Sequence, residues 1–99
     1  MERTLENDPT PLKATLTIQN PKGLHVRAAT VLATALKPFD AEIHLAHGEQ
    51  SANAKSVMHL LLLTAAQGAQ VEATATGPDA QEALDVAARV IQDGFGEDD

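Results

Sequence analysis

Hydrophobic and polar residues alternate in four short stretches of this chain. Ala14-Thr15-Leu16-Thr17-Ile18, Ala41-Glu42-Ile43-His44-Leu45, Ser51-Ala52-Asn53-Ala54 and Gln70 to Thr76 all repeat with period two. That period predicts strands with one wet face and one apolar face. In the last of them Val71, Ala73 and Ala75 form the inner face. Three other stretches repeat with helical spacing. Ala28, Ala29, Leu32, Ala35 and Leu36 predict a helix over Val26 to Leu36. Pro38 cannot continue it and restricts Lys37 as well. Val57 to Leu63 reads as a short apolar helix of about two turns, with Ser56 as its N-cap. Gly77-Pro78-Asp79 opens the last helix, where Asp79 and Glu82 fit a capping box. Its stripe is Ala80, Ala83, Leu84, Ala87, Val90 and Ile91. Gly94 stops it, and Phe95 is placed to fold back onto the core.

The turn His47-Gly48-Glu49 joins the second and third strands into a hairpin. The element order is then βαββαβα. Because every strand alternates, each has a solvated face, and the sheet should be antiparallel. Three helices with apolar stripes should cover the other face. The fold class is α+β, an open-faced two-layer sandwich of split βαβ type. Residues 1–11 are polar and carry Pro9 and Pro11, so they read as a flexible tail. Residues 12–95 form one domain, and residues 96–99, Gly-Glu-Asp-Asp, read as an acidic fray.

Charge and composition narrow the function. The net charge of -7 argues against a nucleic-acid partner, whose footprint is a basic face. Phe39 and Phe95 are the two aromatic residues, too few for a base-stacking platform. No cysteine is present, which removes disulfides, thiolate metal sites and thiol catalysis. The first residues have neither the basic start nor the apolar centre of a signal peptide. The longest run of large apolar residues, Leu60 to Leu63, is far too short to span a bilayer. A cytoplasmic, monomeric protein without a membrane partner is the expectation.

The chemistry concentrates in Pro21-Lys22-Gly23-Leu24-His25-Val26-Arg27-Ala28-Ala29-Thr30. A glycine frees the backbone, a histidine follows, and an arginine stands two residues later as a helix begins. The N–H groups at a helix start are unpaired and its dipole is positive there, so the place suits an anion such as phosphate. A neutral imidazole is also a nucleophile. Together they suggest a histidine that carries a phosphoryl group. On these ten residues alone, a capping histidine beside a surface arginine fits as well.

Two stretches together carry a wider resemblance. Gly23-Leu24-His25-Val26-Arg27-Ala28-Ala29 resembles the active-site signature of the HPr family, the histidine-containing phosphocarriers of the phosphoenolpyruvate-dependent phosphotransferase system. Asn53-Ala54-Lys55-Ser56-Val57-Met58 resembles that family's regulatory serine region. The resemblance covers about Leu12 to Phe95. Glu72-Ala73-Thr74-Ala75-Thr76-Gly77-Pro78, with the ending Gly94-Phe95, looks most like its nitrogen-related (NPr) branch. The resemblance implies strand order 1-4-2-3. It implies that His25 accepts phosphate from enzyme I and passes it to EIIA-type proteins, with Arg27 contacting the phosphate. It allows phosphorylation of Ser56 by an HPr kinase/phosphorylase. Val57, Met58, Leu61 and Leu62 exceed what one helix stripe can bury, so some of them should form an exposed docking patch; the resemblance marks Met58 and Leu61, with Val57, as its contacts, while Leu60 and Leu63 read as core. The chain departs from the family at Ala28, where proline is usual, implying a less rigid helix start. It departs also at Val26, where alanine is usual, and at His59, where many relatives carry a small residue.

His44, His47 and His59 match no metal-ligand spacing and read as surface histidines, so neither metal nor cofactor is expected. A transient phosphohistidine would make the protein a carrier rather than an enzyme. The competing class is a regulatory interaction module whose phosphorylation state controls partner binding. A small ligand-binding domain fits less well, since no polar cluster that would line a pocket is apparent.

Overall fold

Residues 11–97 are described by a computed structural model. Four strands, β1 (Leu12–Thr17), β2 (Glu42–His47), β3 (Gln50–Asn53) and β4 (Gln70–Thr76), pair antiparallel in the order β1-β4-β2-β3. Ala73 of β4 lies opposite Ala14 on one side and Leu45 on the other. Ile43, Leu45, Val71, Ala73 and Ala75 are buried on the inner face, while Glu42, His44 and Glu72 stay in water on the outer one. The period-two pattern dictates this division, because a slip of one residue would drive the outer set inward.

Three helices, α1 (Val26–Leu36), α2 (Val57–Leu61) and α3 (Ala80–Gln92), cover the inner face. Their contact positions are mostly alanine: Ala28, Ala29 and Ala33 on α1, and Ala80, Ala83 and Ala87 on α3. Small side chains let α1 and α3 approach the sheet and each other. Ile18, Leu32, Leu36, Ile43, Leu45, Leu60, Leu63, Val71 and Ile91 fill the volume between. At roughly 25 cal/mol per Å² of apolar surface removed from water, these are the main stabilising contacts.

Two local expectations need correcting. The last helix has no capping box: the Asp79 side chain makes no cap hydrogen bond. Its carboxylate instead accepts the Asp40 N–H at 2.7 Å, and the Asp79 N–H donates to the Asp40 carbonyl at 3.1 Å. The reciprocal pair laces the turn after α1 to the turn before α3, and the carboxylate makes no bond to the start of α3. The short helix also ends sooner than its apolar run. Beyond Leu61 the bonds tighten to three-residue spacing, from Leu63 N–H to Leu60 and from Thr64 N–H to Leu61. Thr64 then turns at φ 47°. The Leu63 carbonyl is taken by His47 Nδ1–H at 2.9 Å and by the Thr64 hydroxyl at 2.7 Å. His47 is thus half-buried and structural rather than a plain surface histidine.

After α3, a 3-10 turn over Gly94–Gly96 carries Phe95 back into the core, where it is buried. Residues 1–10 of the expected 1–11 tail, and Asp98 and Asp99, lie outside the described residues. Glu97 is described, and it is not part of a fray: its side chain is almost wholly enclosed.

Candidate functional site

The site is built on the turn between β1 and α1. The Gly23 N–H donates to the Asn20 carbonyl at 3.1 Å, and the Asn20 side-chain amide donates back to the Gly23 carbonyl at 2.8 Å. Leu24 is buried, and its N–H donates to the Ala65 carbonyl at 2.9 Å. Gly23 runs at φ 70°, close against Ala65 and Ala66. The turn is therefore tied from two sides just before it delivers His25.

His25 is the N-cap of α1, with extended backbone at φ -92° and ψ -175°. Its Nδ1 accepts the Arg27 N–H at 3.3 Å. Its Nε2 meets Glu97 Oε2 at 2.5 Å, while Glu97 Oε1 accepts the Asn20 amide at 2.9 Å. The Asn20 amide, ahead of the His25 and Lys22 contributions, holds the Glu97 carboxyl below its ordinary range against an opposing desolvation effect. An ionised carboxylate only accepts hydrogen bonds, so Nε2 is the donor. Nδ1 then keeps its lone pair, directed at the start of α1.

That helix start is open to an anion. Val26, Arg27 and Ala28 are its first three residues, and their N–H groups have no carbonyl partner within the helix. Val26 and Arg27 are exposed, and Arg27 brings a cation to the same turn. Ala28 is third in the helix and fully buried.

The other expected positions fall on α2. Ser56 caps it, its Oγ accepting the His59 N–H at 3.2 Å. Met58 and Leu62 are 77% and 67% exposed, and Val26 on the neighbouring α1 is 60% exposed. Val57 and Leu61 are half-buried and pack against the core, as one stripe of a five-residue helix must. Leu62, in the turn beyond α2, joins Met58 outside, and Leu61 keeps part of its surface beside them. His44 lies on the open face of the sheet and His59 on the outer side of α2, both exposed. Among the described residues no three His, Cys, Asp or Glu side chains cluster as metal ligands.

A model of the family described as "PTS HPr component phosphorylation site" matches residues 12–93. The chain belongs to the HPr family of phosphocarriers. Within that family the nitrogen-related branch fits well: the phosphocarrier NPr of Escherichia coli is 42% identical over 88 residues, covering 88% of this chain and 98% of that one. The phosphoryl donor subunit DhaM of a dihydroxyacetone kinase from Providencia stuartii is 41% identical over 80 residues, although the chain spans 17% of that longer protein. The crystal structure of an HPr from Thermoanaerobacter tengcongensis superposes with a TM-score of 0.83 at 32% identity, covering 88% of this chain and 98% of that one.

The HPr match encloses His25, Arg27, Ser56 and the α2 residues and stops at residue 93. Asn20 lies inside it and Glu97 outside. Neither stood out in the sequence as part of the site. Asn20 looked like turn material and Glu97 like tail charge; the one available signal was Phe95, whose burial fixes where the residues after it must lie.

Proposed function

We propose that His25 is the phosphoryl-accepting residue of this HPr-family carrier, and that Nδ1 is the accepting atom. The observation that supports this most directly is the Glu97 carboxylate against Nε2, which leaves Nδ1 as the acceptor at the start of α1. In the transfer, the Nδ1 lone pair forms a bond to phosphorus. The bond from phosphorus to the donor breaks, and its electron pair stays on the donor. The Val26 and Arg27 N–H groups and the Arg27 guanidinium stabilise the phosphoryl oxygens, and positioning with electrostatics is most of what this reaction needs. The N–P bond formed is reactive, so the group can be handed on.

The donor is phosphorylated enzyme I, and the acceptors are EIIA-type proteins; no small molecule is turned over. The docking face is Val26, Met58 and Leu62, supported by Val57 and Leu61 behind them. Exposed apolar groups of this kind beside a charged rim suit protein partners. The chain works in the cytoplasm, its output more regulatory than transport. Phosphate on Ser56 would place negative charge at the α2 end of this face and slow docking of an acidic donor.

Incubation with enzyme I and labelled phosphoenolpyruvate tests the assignment. The parent should gain one acid-labile phosphate. His25→Ala should gain none while keeping its circular dichroism spectrum. Undiminished labelling of that variant would sink the proposal.

A further inference from the structure

We propose that His47 is a positioning residue for phosphoryl transfer: it fixes the corner on which the His25 turn rests. This deepens the carrier reading above and rests on it. His47 closes β2 at a position where the alternation of the strand calls for an apolar side chain, on the face of buried Ile43 and Leu45. Its register is set by Gln50 across the hairpin. From there Nδ1–H donates to the Leu63 carbonyl at 2.9 Å. That carbonyl lies just beyond α2, where the last carbonyls of a helix have no partner within it. Satisfying it accounts for a half-buried imidazole on an apolar face, and the next two residues carry the effect of the bond to the site.

Thr64 follows with φ 47°, a left-handed backbone that β-branched residues rarely adopt. Such a conformation persists only where its surroundings hold it from several sides. Here the holders are the His47 bond before it and the buried side chains of Leu63 and Ala65 on either side. The Ala65 carbonyl then accepts the Leu24 N–H at 2.9 Å, and Leu24 immediately precedes His25. Ala65 and Ala66 also back Gly23. A single strained residue therefore separates the carbonyl that His47 holds from the carbonyl that holds the His25 turn.

Without the His47 bond, Thr64 is free to relax toward ordinary backbone, and that rotation turns the Ala65 carbonyl away from Leu24. The bonds between Asn20 and Gly23 remain, so the turn is displaced rather than undone. Phosphoryl transfer depends chiefly on positioning and electrostatics, and a misplacement of about 1 Å costs about a hundredfold. Loss of one of two holds on the turn should cost less than that.

The test compares the full chain with His47→Ala, His47→Asn and His47→Gln. An asparagine amide places an N–H close to where Nδ1–H stands, whereas glutamine carries its amide one carbon further out. In His47→Ala, exchange of the Leu24 amide proton should quicken, and single-turnover phosphate acceptance at saturating enzyme I should slow. Each change should be roughly threefold to tenfold, the factor that one lost hydrogen bond is worth. Saturating donor separates this loss from a change in docking. His47→Asn should restore both readouts and His47→Gln neither. His44→Ala, on the open face of the sheet, should match the parent. Parental Leu24 exchange and rate in His47→Ala, with lowered stability alone, would overturn the proposal, as would failure of His47→Asn to restore them. If His47→Ala does not fold, the other two variants decide, and equal rates in them refute the proposal. If the parent accepts no phosphate, the carrier reading fails, and Leu24 exchange still decides whether His47 holds the turn.

Discussion

Gly23→Ala tests how the His25 turn is held. Gly23 has φ 70°, where a Cβ costs about 1–2 kcal/mol. A Cβ there would also stand 2.6 Å from the Ala65 carbonyl oxygen and 2.9 Å from Ala66 Cα. Both are backbone atoms, and the Ala65 oxygen already accepts the Leu24 N–H at 2.9 Å. Neither can retreat without loosening the bond that docks the turn against the segment after α2. Overpacking of this kind adds about 1–3 kcal/mol. The expected loss is therefore about 2–5 kcal/mol, a large part of the 5–15 kcal/mol typical of a whole domain. Gly68→Ala is the control, because Gly68 has φ 88° and nothing within 4 Å of its built Cβ. It should lose only the backbone contribution of about 1–2 kcal/mol. The chain has no Trp or Tyr, so urea unfolding is followed by circular dichroism. Equal losses in the two variants, within about 0.5 kcal/mol, would refute the collision argument.

The remaining predictions concern charge, capping and docking. The Glu97 carboxyl titrates below its ordinary value in the folded chain, chiefly because Asn20 donates to it, so its stabilisation is present above that value and lost as pH falls through the folded one. Below about pH 4.5 the parent should lose stability more steeply than Glu97→Gln, and parallel unfolding curves would contradict this. Asp79→Ala removes the 2.7 Å bond from Asp40 N–H and should cost about 0.5–1.5 kcal/mol. Amide exchange should quicken at Asp40 and not at Glu82, whereas faster exchange at Glu82 would restore the capping box. Ser56→Ala should cost about 1 kcal/mol through the lost cap of α2. Ser56→Asp should slow acceptance from enzyme I, and a parental rate would remove the regulatory role. Leu62→Asp should change stability by less than about 0.5 kcal/mol while raising the donor concentration needed for half-maximal transfer; an unchanged requirement would place the docking face elsewhere.

The fold was legible because its signals are local and repeated. Strand alternation identifies the inner faces, and helix α1 runs over the expected residues because a histidine cap opens it and Pro38 closes it. The misreadings have a common physical form. Asp79 has the spacing of a capping residue, but its carboxylate bonds the Asp40 N–H, a partner 39 positions away that local spacing does not reveal. The α2 run stays apolar through Leu63, but hydrophobicity does not distinguish a helix from the tightened turn at its end. The same turn leaves Leu62 exposed and Leu61 half-buried.

His25 and Arg27 were readable because a helix start places its own residues, whatever else the chain does. The partner of His25 was not, since no period links a histidine before the first helix to a glutamate after the last. Acidic, glycine-bearing chain ends are usually solvated, and composition alone puts Glu97 with them. A single apolar side chain overrides composition here. Phe95 stands between two glycines that tolerate a left-handed turn, and its burial makes the chain accept φ 59° at a phenylalanine. Once Phe95 is placed in the core, its direction of exit is no longer free, and the carboxylate two residues on must pass Asn20. A correct expectation about core packing therefore contained a statement about the site. It becomes visible only when the buried phenylalanine is treated as an anchor for Gly96 and Glu97 as well as a contributor of apolar area.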